Sequence, residues 1–216
     1  MNELYLTKTN IEKKGKEWLK TLNFSKTRKS LFPYNKKKSA LLIIDMQKFF
    51  TEKKSHAFIP SSDAIIPKIN LLIDTYRNDH NLIIFTYHAY EKQETVGIMK
   101  KWWKDVVYTD NPISKISSTI HYELDDIIIR KNRYSAFINT DLDQKLKEHE
   151  IKQIIVTGVM THLCCESTAR EAFMKDYQVF FAIDATATDT EEHHLSSLKT
   201  LSDGFAIPIT ATEITS

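Results

Sequence analysis

The sequence predicts an α/β fold, with a parallel sheet of about six strands covered by helices on both faces. Apolar runs of strand length recur at 40–44, 82–86, 127–129, 153–157, 179–183 and 205–209. They are continuous rather than alternating, as in strands buried on both sides. Segments with apolar residues every three to four positions separate them, which implies right-handed β-α-β crossovers.

Taken in order, the chain opens with a basic extension over residues 1–38, and a main domain follows over 39–216. Residues 1–39 hold 11 Lys/Arg and 3 acidic residues, a net +8; the whole chain carries +2, so the remainder carries −6. Basic arms can hold nucleic acid, but no nucleic-acid-binding motif accompanies this one. It also contains Trp18, Leu19, Leu22, Phe24, Leu31, Phe32 and Tyr34, which need burial. The reading is a helix near residues 10–21 that packs on the body or on a second subunit. In the main domain, Ile65, Ile69, Leu72, Ile73 and Tyr76 predict the helix after the first strand. Leu142, Leu146 and His149 predict one before the fourth strand, and Cys165, Ala169, Ala172 and Phe173 one after it. The last helix is expected to begin with a capping box of Thr188 and Glu191, to carry Leu195, Leu198 and Leu201, and to stop at Gly204. Residues 88–125 break this rhythm, with Trp102, Trp103, Tyr108 and Pro112 but no clear strand. They read as a lid or binding loop, or as aromatics used in the core or between subunits.

Composition narrows the function. At 42% hydrophobic and 27% charged, the 216 residues mark a globular chain able to bury a sizeable core. The two cysteines are adjacent, which implies no disulfide framework and favours a reducing compartment. No run approaches membrane-spanning length, and the N-terminus has no apolar signal core. The expectation is a cytoplasmic protein acting on a small molecule, with neither a nucleic-acid nor a membrane partner.

In parallel sheets, ligands bind beyond the carboxyl ends of the strands. Asp45 stands directly after the first apolar run, where partial desolvation would raise its basicity; it could equally cap the next turn. Arg130 and Lys131 end the third run. Periodicity cannot choose between them, and a solvated surface charge is the commoner fate of such a lysine. The fourth run passes through Gly158-Val159-Met160-Thr161-His162-Leu163 to Cys164 at the start of a helix. There the helix dipole favours thiolate, the nucleophilic form. Cys164 and Cys165 also fit two small buried hydrophobes. Together, an aspartate, a lysine and a cysteine at one sheet edge make a nucleophilic constellation.

These residues also carry a resemblance. The chain resembles the isochorismatase-like cysteine hydrolase superfamily, which includes isochorismatases, nicotinamidases and N-carbamoylsarcosine amidases. The likeness runs from about Ala40 to Ile209, through Leu41-Leu42-Ile43-Ile44-Asp45-Met46-Gln47, Lys131-Asn132-Arg133-Tyr134-Ser135-Ala136-Phe137, the segment 156–164, Thr168-Ala169-Arg170-Glu171-Ala172-Phe173 and Asp184-Ala185-Thr186-Ala187. It implies a three-layer α-β-α, Rossmann-like fold and a catalytic triad of Asp45, Lys131 and Cys164. It also implies a cis peptide at Val159–Met160, with the backbone N–H groups of Met160 and Cys164 forming an oxyanion hole. Cys165 is expected to point elsewhere and pack in the core. The resemblance further suggests a homo-oligomer, a dimer or tetramer.

The chain departs from the resemblance in two places. Nicotinamidases of the family bind a metal through an Asp-x-His pair after the second strand, whereas this chain reads Thr86-Tyr87-His88-Ala89-Tyr90. A lone histidine does not make a metal site, and His193 and His194 are neighbours on one helix and point apart. No metal or cofactor is expected, and nicotinamide is disfavoured as substrate. Isochorismatases cleave a vinyl ether with the aspartate as acid, and many have glycine where Cys164 stands here. The thiol therefore argues for amide, imide or carbamoyl C–N hydrolysis. Vinyl-ether hydrolysis with Asp45 as general acid and a catalytically silent binding protein are the alternatives. Phe50, His88, Trp102, Trp103, Tyr134 and Phe137 are the candidate pocket residues, each also suited to core or interface packing.

Overall fold

A computed structural model describes residues 2–22 and 26–216; Phe24, expected to need burial, lies outside them. The chain begins with α1 (Ile11–Leu22) and α2 (Lys26–Leu31), then enters β1 (Ser39–Ile44). After it come α3 (Lys48–Thr51), α4 (Ser62–Asn78), β2 (Ile83–His88), α5 (Ile98–Trp103) and β3 (Ile127–Lys131). The second half holds α6 (Leu142–Glu148), β4 (Gln153–Val159), α7 (Glu166–Met174), β5 (Gln178–Ala187), α8 (Glu191–Gly204), β6 (Ile207–Ile209) and α9 (Ala211–Thr215).

The six strands form one sheet in the order β3-β2-β1-β4-β5-β6, and every pairing is parallel. The order reverses between β1 and β4, so a crevice opens beyond the carboxyl ends of these two strands. β1 and β4 are buried along their whole length, which explains their unbroken apolar runs. On one face, α4 packs on β5 and α9; α7 and α8 pack on each other, on the face that right-handed crossovers assign to them. α1 lies on β5 and α8. Its Ile11 and Trp18 are buried, as are Tyr5 and Leu6 before it, so its apolar face is spent within the chain. Leu31 and Phe32 remain exposed.

Three local expectations change. Thr190, not Thr188, caps α8, accepting from the His193 N–H. Thr188 is occupied elsewhere: its N–H donates to the Tyr5 hydroxyl and its side chain meets His162 and Asp189. The capping box belongs instead to α9, at Thr210 and Glu213. The sixth strand starts at Ile207, because Phe205 closes α8.

Residues 88–125 form an excursion tied back to the body. Tyr90 exchanges backbone hydrogen bonds with Val107 and Thr109, and Gln47 bridges to Ile116. No helix of the described residues is long and apolar enough to cross a membrane.

Candidate active site

The strand ends meet where β1 and β4 part. Ile44 pairs with Gly158, and His88 with Lys131, so four segments deliver their next side chains to one place. Gly158 is indispensable to this approach: it has φ 105°, and a Cβ there would lie 2.0 Å from the Ile44 carbonyl oxygen. Just beyond, the Val159–Met160 peptide is cis, and Thr161–Cys165 form one π-helical turn leading into α7. Asp45 leaves β1 with φ 51°, a left-handed conformation that aspartate tolerates better than most residues.

Lys131 Nζ lies 2.6 Å from Asp45 Oδ2 and donates to Cys164 Sγ at 3.3 Å and to the Arg133 carbonyl at 3.1 Å. Thr86 Oγ1 donates to Asp45 Oδ1 at 2.7 Å. Oδ2 is the oxygen that meets the ammonium, and the Cys164 thiol also lies within hydrogen-bond reach of the Asp45 carboxylate, so a short path joins the thiol proton to Asp45. Lys131 and Asp45 are fully buried, and Cys164 is 5% exposed. Burial works against the Lys131 charge, but the Asp45 carboxylate and the Cys164 sulfur outweigh it and hold the ammonium above its ordinary value. Strand alternation turns Arg130 the other way, onto Glu94 at 2.8 Å and Glu91 at 3.8 Å.

The helix dipole is not the only influence on the Cys164 thiol. Burial pushes the Cys164 thiol up to about 12; Lys131 pulls it down, and Asp45 opposes Lys131. The helix-dipole argument saw one local field and missed the desolvation of a site closed to water. Cys165 is wholly buried, with Sγ toward the Thr157 carbonyl at 3.8 Å.

The pocket candidates separate. His88 is half-buried beside Lys131 and Asp45, and desolvation first, then the Lys131 charge, lowers its pKa to about 4. Its Nδ1 has no partner among the described residues. Partial burial raises the Tyr134 hydroxyl's pKa, and that hydroxyl accepts from Trp103 Nε1 at 2.7 Å. Phe50 is buried, with its ring against Phe49. Trp102 is 73% exposed on α5, so it faces outward instead of lining a pocket. Phe137 stacks on Tyr177, immediately before β5. Its ring thus lies toward the opposite sheet edge, away from the pocket expected for it.

Sequence reasoning missed Thr86, Gln47, Thr161 and His194. Gln47 is buried and grips β2's end, accepting from the His88 N–H and donating to the His88 and Ser114 carbonyls. His194 Nδ1 bonds Thr161 Oγ1 at 2.9 Å. The signal available was polarity inside apolar surroundings, as in Ile84-Phe85-Thr86.

A metal after β2 does not fit these residues. His88 is a single imidazole beside a buried ammonium, which would repel a cation, and Tyr90 points its hydroxyl to the Asn132 carbonyl. Among the described residues, the one cluster of three metal-capable side chains is His162, Asp189 and His193. There Asp189 already pairs with His193 at 2.8 Å, and His162 bonds Thr188 at 2.6 Å. An open cleft of about 690 Å³ between Ile128 and Asp141 contains neither Asp45, Lys131 nor Cys164.

Comparison with known proteins agrees with this architecture. Residues 39–213 match the isochorismatase domain. Nicotinamidase 3 of Arabidopsis thaliana is 39% identical over 175 residues, covering 80% of this chain and 84% of its own. Enterobactin synthase component B of Escherichia coli K12 is 34% identical over 169 residues, 77% of this chain; the match spans only 58% of that longer protein. The crystal structure of a cysteine hydrolase from Pseudomonas syringae pv. phaseolicola 1448A superposes with a TM-score of 0.82 at 27% identity, covering 85% of this chain and 93% of that one. The sheet order, the matched domain and these relatives together make the chain a member of the isochorismatase family of hydrolases.

Proposed function

We propose that this hydrolase cleaves the C–N bond of a small amide, imide or carbamoyl compound through an acyl-thioester on Cys164. The observation that carries this reading is the buried contact of Lys131 Nζ with Asp45 Oδ2 at 2.6 Å and Cys164 Sγ at 3.3 Å. Asp45 takes the thiol proton as sulfur attacks the carbonyl carbon, forming the S–C bond. The carbonyl oxygen becomes an oxyanion held by the Met160 and Cys164 N–H groups. Asp45 then gives its proton to the departing nitrogen, the C–N bond breaks and the amine leaves. Water, losing a proton to Asp45, attacks the thioester. The acid departs and the thiol recovers its proton. Lys131 stays charged throughout and keeps Asp45 oriented.

Ammonia or amine release is measured for small amides, nicotinamide included, and for carbamoyl compounds. The reading requires Cys164→Ala and Asp45→Asn both to lose turnover of any accepted compound. A second reading, vinyl-ether hydrolysis with Asp45 as general acid, draws support from the isochorismatase-domain match and from the burial that disfavours ionising the Cys164 thiol. It replaces the first if isochorismate is cleaved and Cys164→Ala retains the activity. We further propose that the protein self-associates; sedimentation at a monomer mass would reject this.

A further inference from the structure

The N-terminal arm lies outside the matched domain, yet two chains of contact run from it to the nucleophile turn. In the first, Trp18 is buried with its ring 4.5 Å from that of His194. His194, itself fully buried, bonds Thr161 Oγ1. In the second, the Tyr5 hydroxyl accepts the Thr188 N–H at 3.0 Å. The Thr188 hydroxyl donates to Asp189 Oδ1, so its lone pair accepts from His162 Nδ1 at 2.6 Å. The arm is also pinned to the start of α8 and to the loop before it. Trp18 Nε1 and Lys14 Nζ bond Glu191, and the Glu3 N–H donates to the Asp189 carbonyl.

Both chains end on residues between the two oxyanion donors. Thr161 and His162 follow Met160 and precede Cys164 in the same turn. Their side chains leave in different directions, one under α8 and one toward the loop before it. Two fixed points along so short a segment set the relative orientation of the N–H groups at its ends. Burial holds the His194 imidazole neutral, with its pKa lowered to about 3, so this support does not change with pH near neutrality.

We infer that the N-terminal arm is part of the catalytic apparatus: Trp18 and Tyr5, acting through His194 and Thr188, are positioning residues for the oxyanion turn. This rests on the proposed role of Met160, Cys164 and the nucleophilic sulfur.

Two reagents on the full-length protein test it. 4-Nitrophenyl acetate acylates Cys164 through an oxyanion. Iodoacetamide alkylates the same sulfur by displacement at a saturated carbon, with no oxyanion. Modification at Cys164 is followed by peptide mass spectrometry, and the thermal midpoint is recorded for each variant. Trp18→Ala is expected to slow acylation about tenfold, below the hundredfold or more lost when an oxyanion donor is removed, with alkylation changed less than about twofold. Trp18→Phe, which keeps a ring on His194, restores acylation. Should Trp18→Ala fail to fold, Tyr5→Phe decides: it deletes one oxygen, lowers the thermal midpoint modestly because the Thr188 N–H loses its acceptor, and must slow acylation while alkylation changes less than about twofold. Arm variants that acylate at the wild-type rate, or that lose acylation and alkylation equally, overturn the inference. Wild-type protein acylated elsewhere but not at Cys164 would instead refute the nucleophile itself.

Discussion

Replacing Lys131 with Met tests whether the buried ion pair organises the site. The ammonium makes three contacts, with Asp45 Oδ2 at 2.6 Å, the Arg133 carbonyl at 3.1 Å and Cys164 Sγ at 3.3 Å, and is wholly buried. Methionine fills similar volume but leaves the Asp45 carboxylate buried with no cation beside it, held by the Thr86 hydroxyl and the Cys164 thiol alone among side chains of the described residues. Removing one member of a buried pair costs about 3–5 kcal/mol, largely because the other charge is left uncompensated. That is a large share of the ~5–15 kcal/mol that stabilises a typical domain. Urea unfolding, followed by tryptophan fluorescence at pH 7, should show this loss. The double variant Lys131→Met/Asp45→Asn no longer buries a lone charge, so it should recover a coupling energy of about 2–3 kcal/mol relative to the sum of the singles. The reasoning fails if Lys131→Met costs less than about 1 kcal/mol, or if the two single costs add to within about 0.5 kcal/mol. Turnover cannot decide this point, because all three variants should lose it.

Other parts of the structure give equally direct tests. Thr86→Val keeps the branched shape but removes the donor to Asp45 Oδ1; a hydrogen bond to a charged group is worth about 1.5–3 kcal/mol, and urea titration should register that loss together with reduced turnover. Gly158→Ala would set a Cβ 2.0 Å from the Ile44 oxygen at φ 105°. It should cost more than about 4 kcal/mol, and a soluble variant with an unchanged urea midpoint would contradict the close approach. Asp184 on β5 is 2% exposed, and burial raises its carboxyl from 3.8 to about 6, against the pull of the Ala211 N–H and Lys68. A raised acid binds its proton more tightly when folded, so its ionisation destabilises: wild-type stability relative to Asp184→Asn should fall as pH rises from about 4 to about 6 and then level off. Two units correspond to about 3 kcal/mol, and a flat difference across that window would refute the shift.

The strands were legible because double-sided burial writes itself as continuous apolar runs, and β1 and β4 are the plainest cases. β5 extends four residues beyond its apolar run: Asp184 and Thr186 break the run, yet both are buried, and Ala211 N–H satisfies Asp184. A strand that hides polar groups this way cannot be followed by hydropathy. α5 escaped because it is short and its residues are exposed or half-exposed. Within the site, Asp45 and Cys164 were legible as polar groups past strand ends, whereas Lys131 could not be told from Arg130 by periodicity and was singled out by the resemblance. Thr86 was not, since its value depends on lying across from Asp45 in the neighbouring strand. His194 and Thr161 are 33 positions apart, and no local pattern announces such a pair. The desolvation acting on Cys164 was invisible for a related reason: a dipole can be inferred from local sequence, but closure to solvent cannot.

A thiol whose ionisation burial opposes changes what activation has to accomplish. Giving the Cys164 proton to bulk water adds a negative charge to a site where Asp45 and Lys131 already cancel, and burial opposes that up to about 12. Passing the same proton to Asp45 Oδ2 leaves the group's total charge unchanged, so the desolvation that blocks the first route bears lightly on the second. Nucleophilicity is then created at the moment of attack and is not stored beforehand. Difference absorbance near 240 nm between wild type and Cys164→Ala should therefore contain no thiolate band from pH 6 to 9, while 4-nitrophenyl acetate still acylates Cys164 over that range. A band titrating below pH 8 would mean a thiolate formed in advance. It would hand the decisive role back to the helix dipole and Lys131, and leave Asp45 only the protonation of the leaving group.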